Sequence, residues 1–293
     1  MFGECHAHLF MNGYDYRKAV ALHKGHVAED VIRGYLSEYQ RRGITFIREG
    51  GDDLGVSSLV KRIAGEYGID YRSPVFAIHK NHHYGGIVGK GFDTMEEYRE
   101  LVMEAIRRGA DFIKIMLSGL VDFDQYGVIT SSPLTYEEMR EMVAIAHQEG
   151  LSVMAHVNGA EPVRLAAMAG VDSIEHGRYL GEESLQAMKE HHTLWVPTLV
   201  TVKNLIGCDR YPKEVVEQIY QSDRDHVKQA KRMGVQMALG SDAGAYLVPH
   251  GKGIQDEYRA FQEILGAGSE LDAYLQSGEE AIRERFQRGG VLQ

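Results

Sequence analysis

The sequence predicts an α/β protein of the (β/α)8 barrel class, and two patterns along the chain lead to that prediction. Eight short apolar segments typical of β-strands alternate with eight regions of helical periodicity, in which apolar residues recur every three or four positions. Several of these helical regions end in a glycine that is followed directly by an apolar strand, which is typical of repeated αβ turns. An open doubly wound sheet is the alternative, but no glycine-rich phosphate loop follows the first strand.

In chain order, the predicted elements form a barrel whose longest loops lie on one rim. The predicted strands comprise residues 2–6, 44–48, 71–78, 112–117, 152–157, 173–176, 194–198 and 236–240. The predicted helices comprise residues 27–41, 59–67, 95–108, 136–148, 160–169, 183–191 and 215–233, followed by a last helical region at 255–265 and 279–288. The longest connections comprise residues 9–26, 79–93, 118–135, 200–213 and 243–253. Because such barrels place the active site at the carboxyl ends of the strands, we expect a substrate pocket among these loops.

Bulk composition restricts the classes of partner. The 293 residues carry a formal net charge of −10, which argues against nucleic acid or an anionic membrane as a partner and favours a small-molecule substrate. No apolar run reaches the roughly 18–20 residues that span a bilayer, and the first residues lack the pattern of a secretory signal. The two cysteines, Cys5 and Cys208, do not constitute a disulfide framework. We therefore expect a single domain over residues 1–293 in a cytoplasmic protein. A homo-oligomer is the default expectation, because most soluble oligomers are symmetric assemblies of one chain.

Six side chains with metal-ligating chemistry occur at or near the ends of predicted strands. His6 and His8 are two residues apart on the first strand, so both can face one ion. The other four follow later strands and are Lys114, His156, His176 and Asp242. His156 and His176 would hold a second ion, and Asp242 would ligate the first ion and accept a proton from water. The alternatives are an ordinary surface or core pair for the His-x-His motif, a hydrogen-bonded barrel histidine for His156 or His176, and a helix N-cap for Asp242.

Lys114 lies between two isoleucines in a predicted buried strand, where an unpaired ammonium is costly. One interpretation is a barrel lysine paired with a carboxylate. The other is a neutral amine that has reacted with CO2, because burial lowers the pKa of a lysine and makes the carbamate accessible. The two oxygens of such a carbamate can bridge two cations.

The order of these residues resembles the binuclear-metal branch of the amidohydrolase superfamily. Within it, residues 110–116, 171–177, 196–199 and 240–244 are similar to the imidazolonepropionase-related and Xaa-Pro-dipeptidase-like group. The resemblance implies two divalent ions, usually zinc, bridged by hydroxide and a carboxylated Lys114, and hydrolysis of an amide, lactam or ester-like bond. Members of the group usually carry a small terminal β-sandwich, which we expect to be absent here, and often a His or Tyr where this chain has Asn158.

The sequence also suggests residues that contact the substrate. Asp242 would pass its proton to the leaving nitrogen, and His79, at the end of the third predicted strand, would donate to the carbonyl oxygen. Further candidates for substrate binding are His82, His83, Tyr84, Asn158, Arg178 and Tyr179, of which Arg178 suits a carboxylate. In the first loop, Tyr14, Tyr16, Arg17 and His23 are candidates for a lid. Structural or solvated roles are the alternative for all of these residues.

These observations favour a hydrolase for a dipeptide, N-acyl amino acid or lactam over three other functions. A mononuclear deaminase of the same superfamily would not need Lys114. A phosphotriesterase- or lactonase-like enzyme would share the bridging lysine, and only the local motifs distinguish it from an amide hydrolase. A metal-free barrel that serves as a binding or regulatory subunit would have lost a ligand, and all six are present.

Overall fold

The computed structural model describes residues 2–288 and contains nine short strands and eleven α-helices in that range. The strands are β1 Glu4–Ala7, β2 Phe46–Glu49, β3 Asp70–Arg72, β4 Ala77–Lys80, β5 Gly89–Phe92, β6 Ile113–Met116, β7 Val153–Val157, β8 Ser173–His176 and β9 Leu194–Val196. The helices are α1 Tyr16–His23, α2 Glu29–Arg41, α3 Val56–Ile63, α4 Met95–Arg107, α5 Tyr136–Gln148, α6 Ala160–Met168, α7 Glu182–Glu190, α8 Val200–Lys203, α9 Lys213–Met233, α10 Lys252–Leu265 and α11 Ser269–Arg285. A 3-10 turn, Ala64–Tyr67, follows α3 directly.

The strands form two parallel sheets, with the orders β1-β2-β3 and β5-β4-β6-β7-β8-β9. Their registers bring functional positions side by side: Met116 pairs with His156, and Val157 pairs with His176. Side chains alternate along each strand, so Phe112, Lys114 and Met116 face the same side. Phe112 belongs to an apolar cluster that Phe286 completes, whereas Lys114 and Met116 line the cavity. The segment formed by β6 and the residue before it therefore contributes both to the apolar core and to the functional site.

The segment 236–243 connects the two sheets, although it does not form the regular strand that we predicted over 236–240. On one side, Trp195 N–H donates to Gln236 O at 3.0 Å and Ala238 N–H donates to Trp195 O at 3.0 Å. On the other side, Cys5 N–H donates to Leu239 O at 3.0 Å, and Asp242 N–H donates to His6 O at 2.7 Å. The segment thus lies between β9 and β1, and the predicted barrel is confirmed. The extended conformation of this segment ends at Asp242, whose positive φ of 60° is not compatible with a regular strand.

A second departure lies in the third predicted strand, 71–78, which is divided into β3 and β4. Pro74 lacks an N–H for the ladder, and Val75 has a φ of 70°, so the chain turns between the two halves. The first half pairs with β2 and the second with β6. As a consequence, His79 lies inside β4 rather than in the loop after it, and part of the predicted loop 79–93 forms β5.

The helices surround the two sheets and bury their outer faces. Helices α4 and α5 begin with capping boxes, Thr94 with Glu97 and Thr135 with Glu138, which satisfy the first free backbone N–H groups. Helices α1 and α8 fall within the long loops, where we predicted no regular structure. Within residues 2–288, no helix combines the length and the hydropathy that crossing a bilayer would require.

Candidate metal centre

The six predicted ligands converge at the carboxyl ends of the barrel strands. They all line one cavity of about 590 Å³, a volume within the usual range for small-molecule sites. All six are largely buried; even the Asp242 side chain, the most open of the His6–His8–Asp242 group, is only 15% exposed. The barrel topology therefore brings together residues that are up to 236 positions apart, from His6 to Asp242.

His6, His8 and Asp242 form the tightest group. Asp242 Oδ1 lies 3.6 Å from His6 Nε2 and 3.7 Å from His8 Nε2, and potential ligand atoms of the three residues all lie within 4.8 Å of one another. His6 Nε2 and Asp242 Oδ1 are buried and have no hydrogen-bond partner among the described residues. Buried polar atoms are nearly always paired, so unpaired atoms that face each other indicate the place of a cation.

The other side of His6 is held by a buried polar network. His6 Nδ1 lies 2.7 Å from Glu175 Oε2, and Arg48 donates to Glu175 Oε1 at 2.8 Å and to Cys5 O at 2.7 Å. A carboxylate on the distal nitrogen of a ligating histidine fixes its tautomer and ring orientation. Glu175 and Arg48 received no role from the sequence. The available signal was Glu175 itself, a carboxylate in an apolar strand immediately before His176.

Three residues at this rim have positive φ angles. His176, Thr198 and Asp242 have φ angles of 65°, 49° and 60°, and they lie at or near the ends of β8, β9 and the segment 236–243. Such conformations are costly for residues other than glycine and cluster at functional sites. None of the described helices begins at Asp242, since α10 starts at Lys252, so the structure does not support the N-cap alternative.

Gly50 permits the approach of His8. A Cβ atom at Gly50 would lie 2.2 Å from His8 Cε1, so a side chain at this position would displace the imidazole. Burial also lowers the pKa of His8 to about 3, which keeps the ring neutral and able to ligate.

Lys114 is buried inside the barrel, and its Nζ has no hydrogen-bond partner among residues 2–288. Burial lowers the pKa of Lys114 to about 8, so a substantial neutral fraction exists near physiological pH. The alternative of a lysine in a salt bridge with a carboxylate does not occur in the described part of the chain. An unpaired, partly neutral amine fits the ligand position that the sequence suggested.

His156 and His176 lie beside this group, and each has one ring nitrogen engaged by the protein. The ring centres of His156 and His176 are 4.7 Å apart, and those of His6 and His176 are 5.1 Å apart. His156 Nε2 lies 3.2 Å from Gly119 O, and His176 Nδ1 lies 2.8 Å from Thr198 Oγ1. His156 Nδ1 and His176 Nε2 are therefore the nitrogens left for a second ion.

Three of the predicted substrate residues line the cavity. Tyr84 packs against His156 with ring centres 4.9 Å apart. Asn158 uses its amide locally, since Nδ2 donates to Gly119 O at 3.1 Å and Oδ1 accepts from Arg178 N–H at 3.0 Å. Arg178 donates to Asp223 Oδ2 at 2.8 Å and to Thr198 O at 2.8 Å. Because this guanidinium is already paired, it is a poor receptor for a substrate carboxylate.

The remaining substrate candidates lie outside the described cavity lining. His79 packs beneath Gly85, and its Nδ1 is 3.0 Å from Lys80 O. His82 is exposed, and His83 Nδ1 is 3.2 Å from Ser132 O. Tyr179 packs edge-on against Tyr126, with ring centres 5.2 Å apart. The structure thus does not bring His79, His82, His83 or Tyr179 to the ligand group, and the division of the third strand explains the displacement of His79.

The first loop contributes to the mouth of the cavity. Tyr14, Tyr16 and Arg17 line it around the start of α1, where the Asp15 side chain accepts hydrogen bonds from the first backbone N–H groups. His23 is buried at the other end of α1 and accepts a hydrogen bond from Ala28 N–H at 3.3 Å. Three of the four lid candidates are therefore placed at the rim.

A family model described as the amidohydrolase family matches residues 2–284. The chain therefore belongs to the amidohydrolase family. This result confirms the resemblance that the ordered ligands suggested, and it confirms the predicted class of enzyme at the level of family membership.

Two curated relatives match part of the chain. The uncharacterized protein Mb2939c of Mycobacterium bovis is 32% identical over 170 residues, which are 56% of this chain and 44% of that protein. Ochratoxinase of Aspergillus niger is 34% identical over 157 residues, which are 51% of this chain and 32% of that enzyme. The matched regions thus span less than half the length of either relative.

Solved structures share the fold over nearly the whole chain. An uncharacterized protein has a TM-score of 0.78 at 26% identity and covers 100% of this chain and 76% of its own. A prolidase complexed with N-methylphosphonate-L-proline has a TM-score of 0.75 at 24% identity, with coverages of 96% and 73%. A Xaa-Pro dipeptidase with bound methionine has a TM-score of 0.72 at 23% identity, with coverages of 95% and 75%. These likenesses support the fold.

Proposed function

We propose that this chain is a metal-dependent hydrolase that cleaves an amide bond in a small molecule, such as a dipeptide, an N-acyl amino acid or a lactam. One observation carries the proposal: unpaired ligand atoms of His6 and Asp242, together with the unpaired amine of Lys114, face one cavity at the carboxyl ends of the strands. The names of two relatives, ochratoxinase and prolidase, are consistent with an amide substrate.

The residues present fit a metal centre of two divalent ions. His6, His8 and Asp242 would hold the first ion, His156 and His176 the second, and a carbamate on Lys114 would connect them. Imidazole and carboxylate donors suit zinc and related divalent metals. When bound, such ions lower the pKa of coordinated water and polarise a carbonyl group.

The protein side chains would perform the proton transfers. Burial raises the pKa of Asp242 to about 7 in the metal-free chain. A bound cation would favour the ionised carboxylate, which could then accept a proton. In the proposed reaction, Asp242 takes a proton from the attacking water and delivers it to the leaving nitrogen. Glu175 holds the His6 ring and Tyr84 packs on His156, so both would position metal ligands. Tyr84 also lines the cavity, where it could contact the substrate.

The direct test compares amide hydrolysis by Asp242→Asn and wild-type protein after loading with zinc, manganese or cobalt. Loss of a general acid–base group lowers kcat by about 10²–10⁴-fold, so we expect that loss with an unchanged circular dichroism spectrum. Asp225→Asn is the matched control, because Asp225 is an exposed residue of α9 outside the cavity. Full activity of Asp242→Asn on a panel of dipeptides, N-acyl amino acids and lactams would contradict the assignment.

One observation favours a second candidate, a one-metal deaminase. Among the described residues, the group of close potential ligand atoms comprises His6, His8 and Asp242 and does not include His156 or His176. A deaminase would release ammonia from an amino-substituted ring and would retain its metal after replacement of Lys114. Measuring ammonia release and metal content in Lys114→Ala distinguishes the two functions.

A further inference from the structure

We propose that Arg210 binds an anionic group of the substrate in an outer subsite of the same cavity. This inference rests on the proposed function and narrows its substrate class. The substrate would be an amide with an aromatic or branched aliphatic body and a carboxylate at the end remote from the scissile bond.

Three loops build the subsite at the mouth of the cavity. Phe123 lies in the loop after β6, Arg210 and Tyr211 lie between α8 and α9, and Tyr246 lies beyond Asp242. The rings of Phe123 and Tyr211 are 5.1 Å apart. The Arg210 guanidinium carbon lies 5.3 Å from the ring centre of Tyr211 and 4.6 Å from that of Tyr246. Arg210 therefore stacks against two tyrosines of different loops.

Arg210 is exposed at the mouth of the cavity, and its contacts in residues 2–288 are with aromatic rings rather than with carboxylates. Its five N–H donors therefore face solvent, where a substrate carboxylate can replace water. Stacking on aromatic rings restricts the side chain while its N–H edge stays free, which reduces the entropy lost when a carboxylate binds. A planar guanidinium held in this way suits bidentate contact with a carboxylate.

The other two arginines of the cavity lining are less available. Arg178 is buried and paired with Asp223, and it also donates to Thr201 Oγ1 at 2.8 Å. Arg17 donates to Tyr16 OH at 3.3 Å and lies two residues after Asp15, whose carboxylate caps α1. The sequence suggested Arg178 as the carboxylate receptor, and the contacts transfer that role to Arg210.

The surrounding side chains define the body of the substrate. Leu120, Val121 and Leu205 line the same cavity as Arg210 and the ligand group, together with Phe123 and Tyr246. A cavity that combines apolar walls, a cation and a hydrolytic centre favours a ligand with an apolar body and a charged end. A short polar dipeptide would leave this wall in contact with water.

The test uses a matched pair of chromogenic amides that differ in one charge. Glutaryl-L-phenylalanine 4-nitroanilide carries a carboxylate remote from the anilide bond, and its terminal amide, glutaramoyl-L-phenylalanine 4-nitroanilide, has the same length and carries no charge. Charge-assisted hydrogen bonds are worth about a tenfold factor or more in affinity, so we expect wild type to favour the glutaryl compound about tenfold in kcat/KM. Arg210→Gln should remove that preference through KM, and Arg210→Lys should retain part of it.

The control is Arg232→Gln, which removes an exposed arginine from the end of α9, outside the cavity lining. It should leave the preference of wild type unchanged. An equal loss for both compounds in Arg210→Gln, or loss of the preference in Arg17→Gln instead, would overturn the assignment of Arg210.

Equilibrium binding separates this inference from the proposed function. The Kd values of both compounds are measured by calorimetry in Asp242→Asn, with and without Arg210→Gln. Tighter binding of the glutaryl compound that depends on Arg210 supports the subsite even if wild type hydrolyses neither anilide. Equal Kd values, or no binding of either compound, contradict it, whereas absence of hydrolysis of every amide contradicts only the proposed function.

Discussion

Two buried polar clusters meet at His6, and they differ in how completely their polar atoms are paired. Below His6, Arg48 donates to Glu175 and to Ser173 Oγ at 2.9 Å, and Glu175 contacts His6 Nδ1. On the opposite edge of the ring, His6 Nε2 and Asp242 Oδ1 have no partner in the described chain. Because burial of polar atoms without partners is costly, the first cluster indicates a structural role and the second indicates a ligand.

Breaking the paired cluster should cause the largest loss of unfolding free energy. Arg48→Met leaves the Glu175 carboxylate buried without its cation, which typically costs about 3–5 kcal/mol of unfolding free energy. Chemical denaturation measures the loss. The double variant Arg48→Met with Glu175→Leu should recover much of this stability, because no buried charge remains. Additive losses in the double variant would show that the two residues do not act as a pair.

The same double variant should weaken the metal site. Glu175 holds the His6 ring, and loss of such a partner lowers metal affinity by about 10–100-fold. The affinity for zinc is measured by competition with a chromogenic chelator. Unchanged affinity would show that packing alone orients His6.

Filling the unpaired cluster should stabilise the wild-type protein. A cation that binds only the folded state adds about 2.7 kcal/mol at a free concentration of 100 times its Kd. We therefore expect the Tm of chelator-treated protein to rise when zinc is added, and to rise much less in Asp242→Asn. An equal rise in both proteins would place the bound zinc away from Asp242.

The smallest change in stability is expected when Lys114 is replaced in the metal-free protein. Its amine is buried without a partner, and such a group costs about 1–3 kcal/mol. Lys114→Met keeps the length of the side chain and removes the polar atom, so the metal-free variant should be more stable than metal-free wild type. Urea denaturation of both metal-free proteins measures this difference as a shift of the midpoint. A variant that is less stable than wild type would indicate that Lys114 is paired in solution.

The sequence predicted the convergence of these six side chains because it follows a simple rule: in a barrel, the last residues of each strand share one rim. The ordered positions of His6, Lys114 and Asp242 needed only the strand pattern and that rule. The predicted strand over 236–240 has the expected position between β9 and β1, but it pairs through isolated bridges and single hydrogen bonds rather than as a regular strand.

Contacts between distant loops could not be predicted. His79 appeared to end a strand, but Pro74 and Val75 divide that strand and place His79 beneath Gly85. The pairing of Arg178 with Asp223 depends on the position of α9, 45 residues away in the chain. Local periodicity carries no information on such pairs, so the roles of substrate-binding residues required the structure.

Metal stoichiometry tests the central claim most directly. Wild type and Lys114→Met are loaded with zinc, desalted and analysed by atomic emission, with Lys61→Met as a control because Lys61 is an exposed residue paired with Asp111. The account predicts about two ions per wild-type chain, the same number in Lys61→Met and a clear loss in Lys114→Met. Wild-type protein without bound zinc, or an equal content in all three proteins, would contradict it.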